Sequence, residues 1–78
     1  MPELELYGTA ACPYTQELRE SLEWKGREFA EFDIELDAQA RARLQALAPP
    51  PWTVPVLVEH GKVIQVGWQG RGCIVGDK

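Results

Sequence analysis

Metal-binding and positively charged side chains are scarce in this chain of 78 residues. One histidine and two cysteines are too few for a closed four-ligand zinc site within one chain, so no metal site is expected. Lysine and arginine total 8 against 12 aspartates and glutamates, and the net charge of -4 argues against nucleic acid as a partner. No apolar run approaches the ~20 residues that cross a bilayer, so no membrane partner is expected either.

The N-terminal segment 1–5 is acidic and lacks the basic and then apolar pattern of a signal peptide, which indicates a cytoplasmic protein. Permanent disulfides are rare in a reducing compartment, so the two cysteines indicate either redox chemistry or buried thiols. An apolar content of 45% predicts a folded chain, and its length predicts a single domain spanning 1–78.

The hydrophobic pattern predicts an α/β fold with elements in the order β-α-β-α-β-β. Strands are expected where apolar residues alternate with acidic ones, and helices where apolar residues recur every three or four positions. Gly8 and Thr9 are expected to break the first strand, and the triple proline at 49–51 to stop the second helix. The expected bounds are 4–7, 13–25, 28–35, 38–48, 55–59 and 63–66, the last two forming a hairpin.

Cys12 falls between the first strand and the first helix, directly before Pro13, which suits the first helical position because it has no N–H. At a helix start, unpaired N–H groups and the positive dipole end stabilise a thiolate. Thr15 can hydrogen-bond the sulfur through its hydroxyl or its N–H. Cys12 is therefore predicted to be an exposed nucleophile with a depressed pKa; the alternative is a small buried thiol.

The motif Cys12-Pro13-Tyr14-Thr15 after a first strand, with Thr53-Val54-Pro55 before a later one, resembles the glutaredoxin branch of the thioredoxin fold over about residues 3–67. The resemblance implies a mixed four-stranded sheet in the order 2-1-3-4, with the third strand antiparallel to the first. It also implies a cis peptide bond after Val54, which would place the backbone of that residue beside the thiol to bind an extended thiol peptide such as glutathione.

The resemblance further implies a set of groove residues, which are Pro13, Tyr14, Thr53, Val54 and Pro55. Tyr14 has two interpretations, a rim aromatic or the first apolar residue of the helix stripe. Trp52 likewise either lines the groove or is a hydrophobic plug.

Thr15 stands where dithiol glutaredoxins have a second, resolving cysteine, so the site resembles the monothiol arrangement. Such a site takes the glutathionyl group from a mixed disulfide and is released by a second glutathione. The resemblance thus implies glutathione as co-substrate and no tightly bound cofactor. Two departures concern glutathione: the usual lysine before the motif is absent, and Gly67-Trp68-Gln69-Gly70 lacks the usual aspartate. Gln69 can supply a neutral hydrogen bond instead, and Arg71 can bind a carboxylate.

The chain after the hairpin, 68–78, contains three glycines in eleven residues, so the final helix usual in glutaredoxins is not expected. We expect Trp68, Ile74 and Val75 to fold back over the open sheet face or to pack against a second subunit of a homodimer. Residues 73–75 are expected to form a short strand. Cys73 then lies near Cys12, either as a resolving cysteine or as a packing residue. This tail also resembles small glutaredoxin-like proteins whose family includes selenocysteine forms.

The leading hypothesis is a thiol-disulfide oxidoreductase that acts on glutathione mixed disulfides or protein disulfides through Cys12. A second enzymatic alternative is an electron donor or a peroxide or thiol reductase that uses Cys12 and Cys73 as an intramolecular pair. Two further alternatives are an iron–sulfur cluster carrier and a non-catalytic interaction module that only keeps the fold.

Overall fold

The computed structural model describes residues 3–76 and contains two helices and six strands within them. In chain order the elements are β1 (Leu4–Gly8), α1 (Pro13–Trp24), β2 (Ala30–Asp33), α2 (Ala38–Leu47), β3 (Trp52–Val54), β4 (Val56–Glu59), β5 (Lys62–Val66) and β6 (Cys73–Val75). The six predicted elements correspond to β1, α1, β2, α2, β4 and β5. The short strand predicted at 73–75 is β6, whereas β3 was not predicted.

The main sheet has four strands in the order β2-β1-β4-β5. Strand β2 is parallel to β1, and β4 is antiparallel to both β1 and β5. Because β3 adds one to the numbering, this is the predicted 2-1-3-4 arrangement with its third strand antiparallel to the first. The predicted α/β, thioredoxin-like fold class is confirmed. Strands β3 and β6 form a separate two-stranded antiparallel sheet.

Local chemistry accounts for the helix boundaries. Helix α1 has Pro13 in its first turn and ends just before Gly26, whose φ of +71° is left-handed. Helix α2 begins after Asp37, whose Oδ1 accepts hydrogen bonds from the N–H groups of Gln39 and Ala40 at 3.0 and 3.1 Å. Within residues 3–76, neither helix is long and apolar enough to cross a membrane.

Two apolar clusters lie on opposite faces of the main sheet, because neighbouring residues of β1 and β4 point to opposite sides. The cluster on the α1 side consists of Leu4, Leu6, Leu18, Leu22 and Leu57. The cluster on the α2 side consists of Tyr7, Cys12, Ile34, Ala40, Leu44, Trp52, Val54, Val56 and Val58. The tail after β5 contributes to both clusters, since Trp68 packs against the first and Val75 against the second.

The tail therefore covers the open face on the α1 side as predicted for Trp68 only, because Val75 packs against the cluster on the opposite face and Ile74 remains 65% exposed. The reason is strand geometry. Residues on either side of Ile74 in β6 face the α2-side cluster, so the side chain between them points the other way. Trp52 is the predicted plug rather than a groove residue. It is buried, and its indole N–H donates to the carbonyl of Ala48 at 3.0 Å.

Candidate active site at the start of helix α1

Cys12 occupies the N-cap position of α1, as its place in the sequence predicts. Its N–H donates to the carbonyl oxygen of Thr9 at 3.2 Å, and its own carbonyl accepts from the N–H of Gln16 at 3.4 Å. The loop before it is tied to β2, because the N–H of Ala10 donates to Oδ2 of Asp33 at 3.2 Å. The cysteine is thus held at the positive end of α1, where the dipole favours a thiolate once the sulfur is reduced.

Cys12 forms a disulfide with Cys73, across a sequence separation of 61 and a Cα–Cα distance of 6.0 Å. The predicted proximity of the two cysteines is confirmed. The prediction of an exposed sulfur is wrong for this disulfide form, since Cys12 is only 2% exposed. Its burial follows from the position of β6, which carries Cys73 onto the sulfur.

The segment 53–55 lies beside the disulfide. The peptide bond between Val54 and Pro55 is cis, as the resemblance to glutaredoxins implied; the bond between Pro50 and Pro51 is also cis, which was not predicted. The carbonyl oxygen of Val54 lies 3.8 Å from Sγ of Cys12. Of the expected groove residues, Val54 is therefore placed beside the sulfur by its backbone carbonyl.

Strand β6 occupies the edge of β3 in antiparallel register. Val54 is opposite Cys73, and Thr53 is opposite Ile74. The third pair is Trp52 and Val75. The groove expected to receive a thiol peptide thus holds a cysteine-bearing segment of the same chain.

The other predicted site residues lie around this centre. Pro13 is exposed in the first turn of α1. Tyr14 is half-buried against the α2-side cluster, whereas Leu18 and Leu22 of the helix stripe belong to the α1-side cluster, so the interpretation of Tyr14 as the first residue of that stripe is wrong. Gln69 is exposed at the tip of a tight turn, with a φ of +52°. That turn is closed by hydrogen bonds in both directions between the backbones of Trp68 and Arg71, at 2.6 and 2.9 Å.

Thr15 is buried in the first turn of α1, and its Oγ1 has no hydrogen-bond partner within residues 3–76. The predicted hydrogen bond from this hydroxyl to the sulfur is therefore not formed in the disulfide form. A sulfur in a disulfide carries no charge and is a poor acceptor, whereas a thiolate at Cys12 would offer a strong one. The hydroxyl is an unused donor one helical turn from the redox-active atom.

Two glycines that the sequence did not assign to the site have close neighbours there. A Cβ at Gly8 would overlap the side chain of Thr15, so β1 and the first turn of α1 approach closely here. Gly8 does not break β1 as expected, since it is paired with Asp33 of β2. A Cβ at Gly72 would lie 2.6 Å from the carbonyl oxygen of Val54 and 2.5 Å from Cγ2 of Thr53. The signal that could have identified Gly72 is its position directly before Cys73.

A mixed sheet with helices on its faces, a buried disulfide-bonded cysteine at a helix start and an adjacent cis-proline together define a protein of the thioredoxin-like class. Comparisons with known proteins narrow that class. The sequence model of the glutaredoxin family matches residues 4–64, so the chain belongs to the glutaredoxin family. The matched region ends before Cys73. No curated protein sequence matches the chain at a significant level.

Solved structures agree with the thioredoxin-like fold. The thioredoxin-like protein BC3987 is similar with a TM-score of 0.72 and 32% identity, over 85% of this chain and 88% of that one. A point variant of BC3987 gives the same TM-score and identity over 85% and 86% of the two chains. The glutaredoxin from Archaeoglobus fulgidus has a TM-score of 0.72 over 88% and 78%, and its 23% identity supports the fold alone.

Proposed function

We propose that this protein is a thiol-disulfide oxidoreductase that alternates between the Cys12–Cys73 disulfide and the corresponding dithiol. One observation carries the proposal: the cysteine at the helix start is bonded to a cysteine of the tail, with the two Cα atoms 6.0 Å apart. A pair of this kind can form and break without unfolding the main sheet, because β6 lies outside it.

In the proposed reaction the Cys12 thiolate attacks one sulfur of a substrate disulfide and forms a mixed disulfide, while the other substrate sulfur leaves as a thiolate. The Cys73 thiolate then attacks Sγ of Cys12, and the first substrate sulfur leaves as a thiolate. Two electrons pass from the protein to the substrate, which takes up two protons. A thiol donor such as glutathione returns the two electrons and is itself oxidised to a disulfide.

The helix start contributes to both directions of this cycle. As an attacking group, Cys12 is made more anionic by the dipole of α1. As a leaving group from the disulfide, the same sulfur departs more readily, because a thiolate of lower pKa leaves faster. The resolving step is assigned to Cys73, so the monothiol cycle suggested by Thr15 is replaced by an intramolecular one.

The partners we propose are protein disulfides or glutathione mixed disulfides in the cytoplasm, and the proposal needs no bound cofactor. Glutathione would meet Gln69 and Arg71 on the exposed turn after β5 in place of the usual aspartate. Trp68 packs within the same chain on the sheet face that the missing helix leaves, so part of that face is covered without a homodimer.

Turnover of a glutathione mixed disulfide and of a protein disulfide would test the proposal, with wild type, Cys12→Ser and Cys73→Ser compared under the same reductant. We expect Cys12→Ser to be inactive on both substrates. Cys73→Ser should keep activity on the glutathione mixed disulfide, since a second glutathione can resolve it, and should lose activity on the protein disulfide. Activity retained by Cys12→Ser would refute the proposal.

A further inference from the structure

Strand β6 is bound to β3 as an external peptide substrate would be. Its backbone runs antiparallel to β3, its cysteine is opposite Val54, and the sulfur of that cysteine is bonded to Cys12. We propose that β6 occupies the groove that receives substrate segments, and that this groove selects a cysteine preceded by a residue without a side chain. This inference rests on the proposed function, and it adds the class of substrate.

The selection arises at the position before the cysteine. In β6 that position is Gly72, and a Cβ there would lie 2.6 Å from the carbonyl oxygen of Val54. Real Cβ atoms do not approach an oxygen so closely, and this oxygen belongs to the backbone of β3, next to Pro55. Thr53 can rotate its methyl group away, but the Val54 carbonyl cannot move without shifting the strand. An α-linked residue other than glycine would therefore fit poorly.

The groove restricts the other positions of the segment to different degrees. Ile74, directly after the cysteine, is 65% exposed, so its equivalent in a substrate should be unrestricted. Val75 is half-buried against the α2-side cluster and lies opposite Trp52, so an apolar residue should be preferred there. The groove thus favours an extended segment with the pattern glycine, cysteine, any residue, apolar residue.

A γ-glutamyl linkage also satisfies the requirement before the cysteine. The carbon attached to the carbonyl of a γ-glutamyl group is an unbranched methylene, like the Cα of glycine. An α-linked glutamate instead presents a Cα that carries a side chain. The shared chemistry is therefore a cysteine whose amino group is acylated by a carbonyl attached to an unbranched methylene. The cysteine can belong to a protein segment or to a small γ-glutamyl peptide.

The test uses full-length Cys73→Ser protein, in which Cys12 is the only thiol, and tetrapeptides whose cysteine is activated as a mixed disulfide with thionitrobenzoate. Attack by Cys12 on the peptide sulfur forms a Cys12–peptide disulfide and releases coloured thionitrobenzoate, because the more acidic thiol leaves faster. Mass spectrometry identifies the Cys12–peptide product. Each rate is divided by the rate of the same peptide with free cysteine, which removes differences in intrinsic reactivity.

We expect the peptide Gly-Cys-Ile-Val to react roughly tenfold or more faster than Ala-Cys-Ile-Val, the ratio produced by a modest steric clash. The control peptide Gly-Cys-Ala-Val should react like the first, because it changes only the exposed position. A second arm compares glutathione with its isomer in which glutamate is α-linked, and the isomer should be slower. The serine-bearing tail competes equally with every peptide and does not alter these ratios.

The outcomes distinguish the selectivity of the groove from the thiol chemistry of Cys12. Equal rates for the glycine and alanine peptides would overturn the proposed selection and leave the thiol chemistry of Cys12 intact. A lack of reaction between Cys12 and every peptide would overturn both this inference and the proposed function. A second measurement uses the tail with both cysteines present. Gly72→Ala should slow formation of the Cys12–Cys73 disulfide, whereas the control Ile74→Thr should not. Equal rates of disulfide formation in these two variants would count against the role of Gly72.

Discussion

Val54 and Cys73 lie opposite each other in the antiparallel pair formed by β3 and β6, and the carbonyl oxygen of Val54 is 3.8 Å from Sγ of Cys12. The pair joins a part of the chain that the glutaredoxin family model matches to a part that it does not match. Val54 lies within residues 4–64 that the glutaredoxin family model matches, and Cys73 lies beyond them. The cysteine that resolves the proposed cycle therefore lies beyond the matched residues, whereas the helix-start motif has Thr15 at the position of a second cysteine.

Reduction of the Cys12–Cys73 disulfide should lower the free energy of unfolding by about 4 kcal/mol, because the bond closes a long loop in the unfolded chain. Guanidinium denaturation with and without a thiol reductant measures the difference. Cys73→Ser, which has no disulfide to lose, should denature identically under both conditions. Mild oxidation that gave dimers linked through Cys12, with Cys73 still open to alkylation, would contradict the intramolecular pairing.

Trp68 should contribute to stability, whereas Trp24 should not. Trp68 packs against the α1-side cluster, and its indole N–H donates to Oε1 of Glu17 at 3.0 Å. We expect Trp68→Ala to lower the free energy of unfolding by about 2 kcal/mol, less than a fully buried tryptophan would cost. Trp24 is 91% exposed, so Trp24→Ala is a matched control with an expected effect within about 0.5 kcal/mol.

Chemical denaturation followed by circular dichroism would measure both tryptophan variants without relying on tryptophan fluorescence. Trp68→Phe should recover most of the loss, because it keeps an aromatic ring on the cluster. An equal effect of Trp68→Ala and Trp24→Ala would show that the tail does not cover the sheet face as described.

Much of the fold could be predicted because its signals are local. The apolar alternation of β1 and the stripe of α1 predicted those elements to within one residue at most ends. The length of β2 could not be predicted in this way. Its alternating pattern extends over 28–35, but the strand ends at Asp33, because its partner β1 ends at the paired residue Gly8. Strand length here depends on a neighbour that is distant in sequence.

The candidate site was predictable only in part for the same reason. The helix-start position of Cys12 follows from Pro13 and a local pattern, and Cys73 could be placed nearby through the resemblance. The burial of Cys12 could not be foreseen, because it depends on the pairing of β6 with β3. Strand β3 has only three residues after a triple proline and carries no periodic signal of its own.

Tyr7 should make stability fall at high pH. Its phenol is buried, donates to Oε1 of Glu5 at 3.2 Å and accepts from Nε of Arg43 at 3.4 Å. Burial is the main reason that its pKa is raised above the ordinary value of 10.0. The unfolded chain thus loses the phenol proton first. The stabilisation is complete below about pH 10 and is lost as pH rises through the folded-state pKa.

Denaturation of oxidised wild type and Tyr7→Phe between about pH 9 and pH 11 would measure this contribution, since neither cysteine titrates in the disulfide. The free energy of unfolding of wild type should fall more steeply with pH than that of the variant. Parallel curves for the two proteins would contradict the assignment to Tyr7.

Thr15→Val should shift the redox equilibrium toward the disulfide, through effects on both states. In the oxidised protein the Thr15 hydroxyl is buried without a partner, so its removal should raise the free energy of unfolding by about 1 kcal/mol. In the reduced protein the variant lacks a donor to the Cys12 thiolate, so the pKa of Cys12 should rise. Both effects make the reduction potential more negative.

Alkylation of the reduced protein with iodoacetamide as a function of pH would follow the Cys12 thiolate, and equilibration in glutathione buffers would give the potential. Thr15→Ser keeps the hydroxyl and should restore the wild-type inflection even though it loses the methyl group that packs beside Gly8. A merely structural role for Thr15 predicts the reverse, because valine preserves the packing and serine does not. The same Cys12 inflection in wild type and Thr15→Val would show that the hydroxyl does not act on the thiolate.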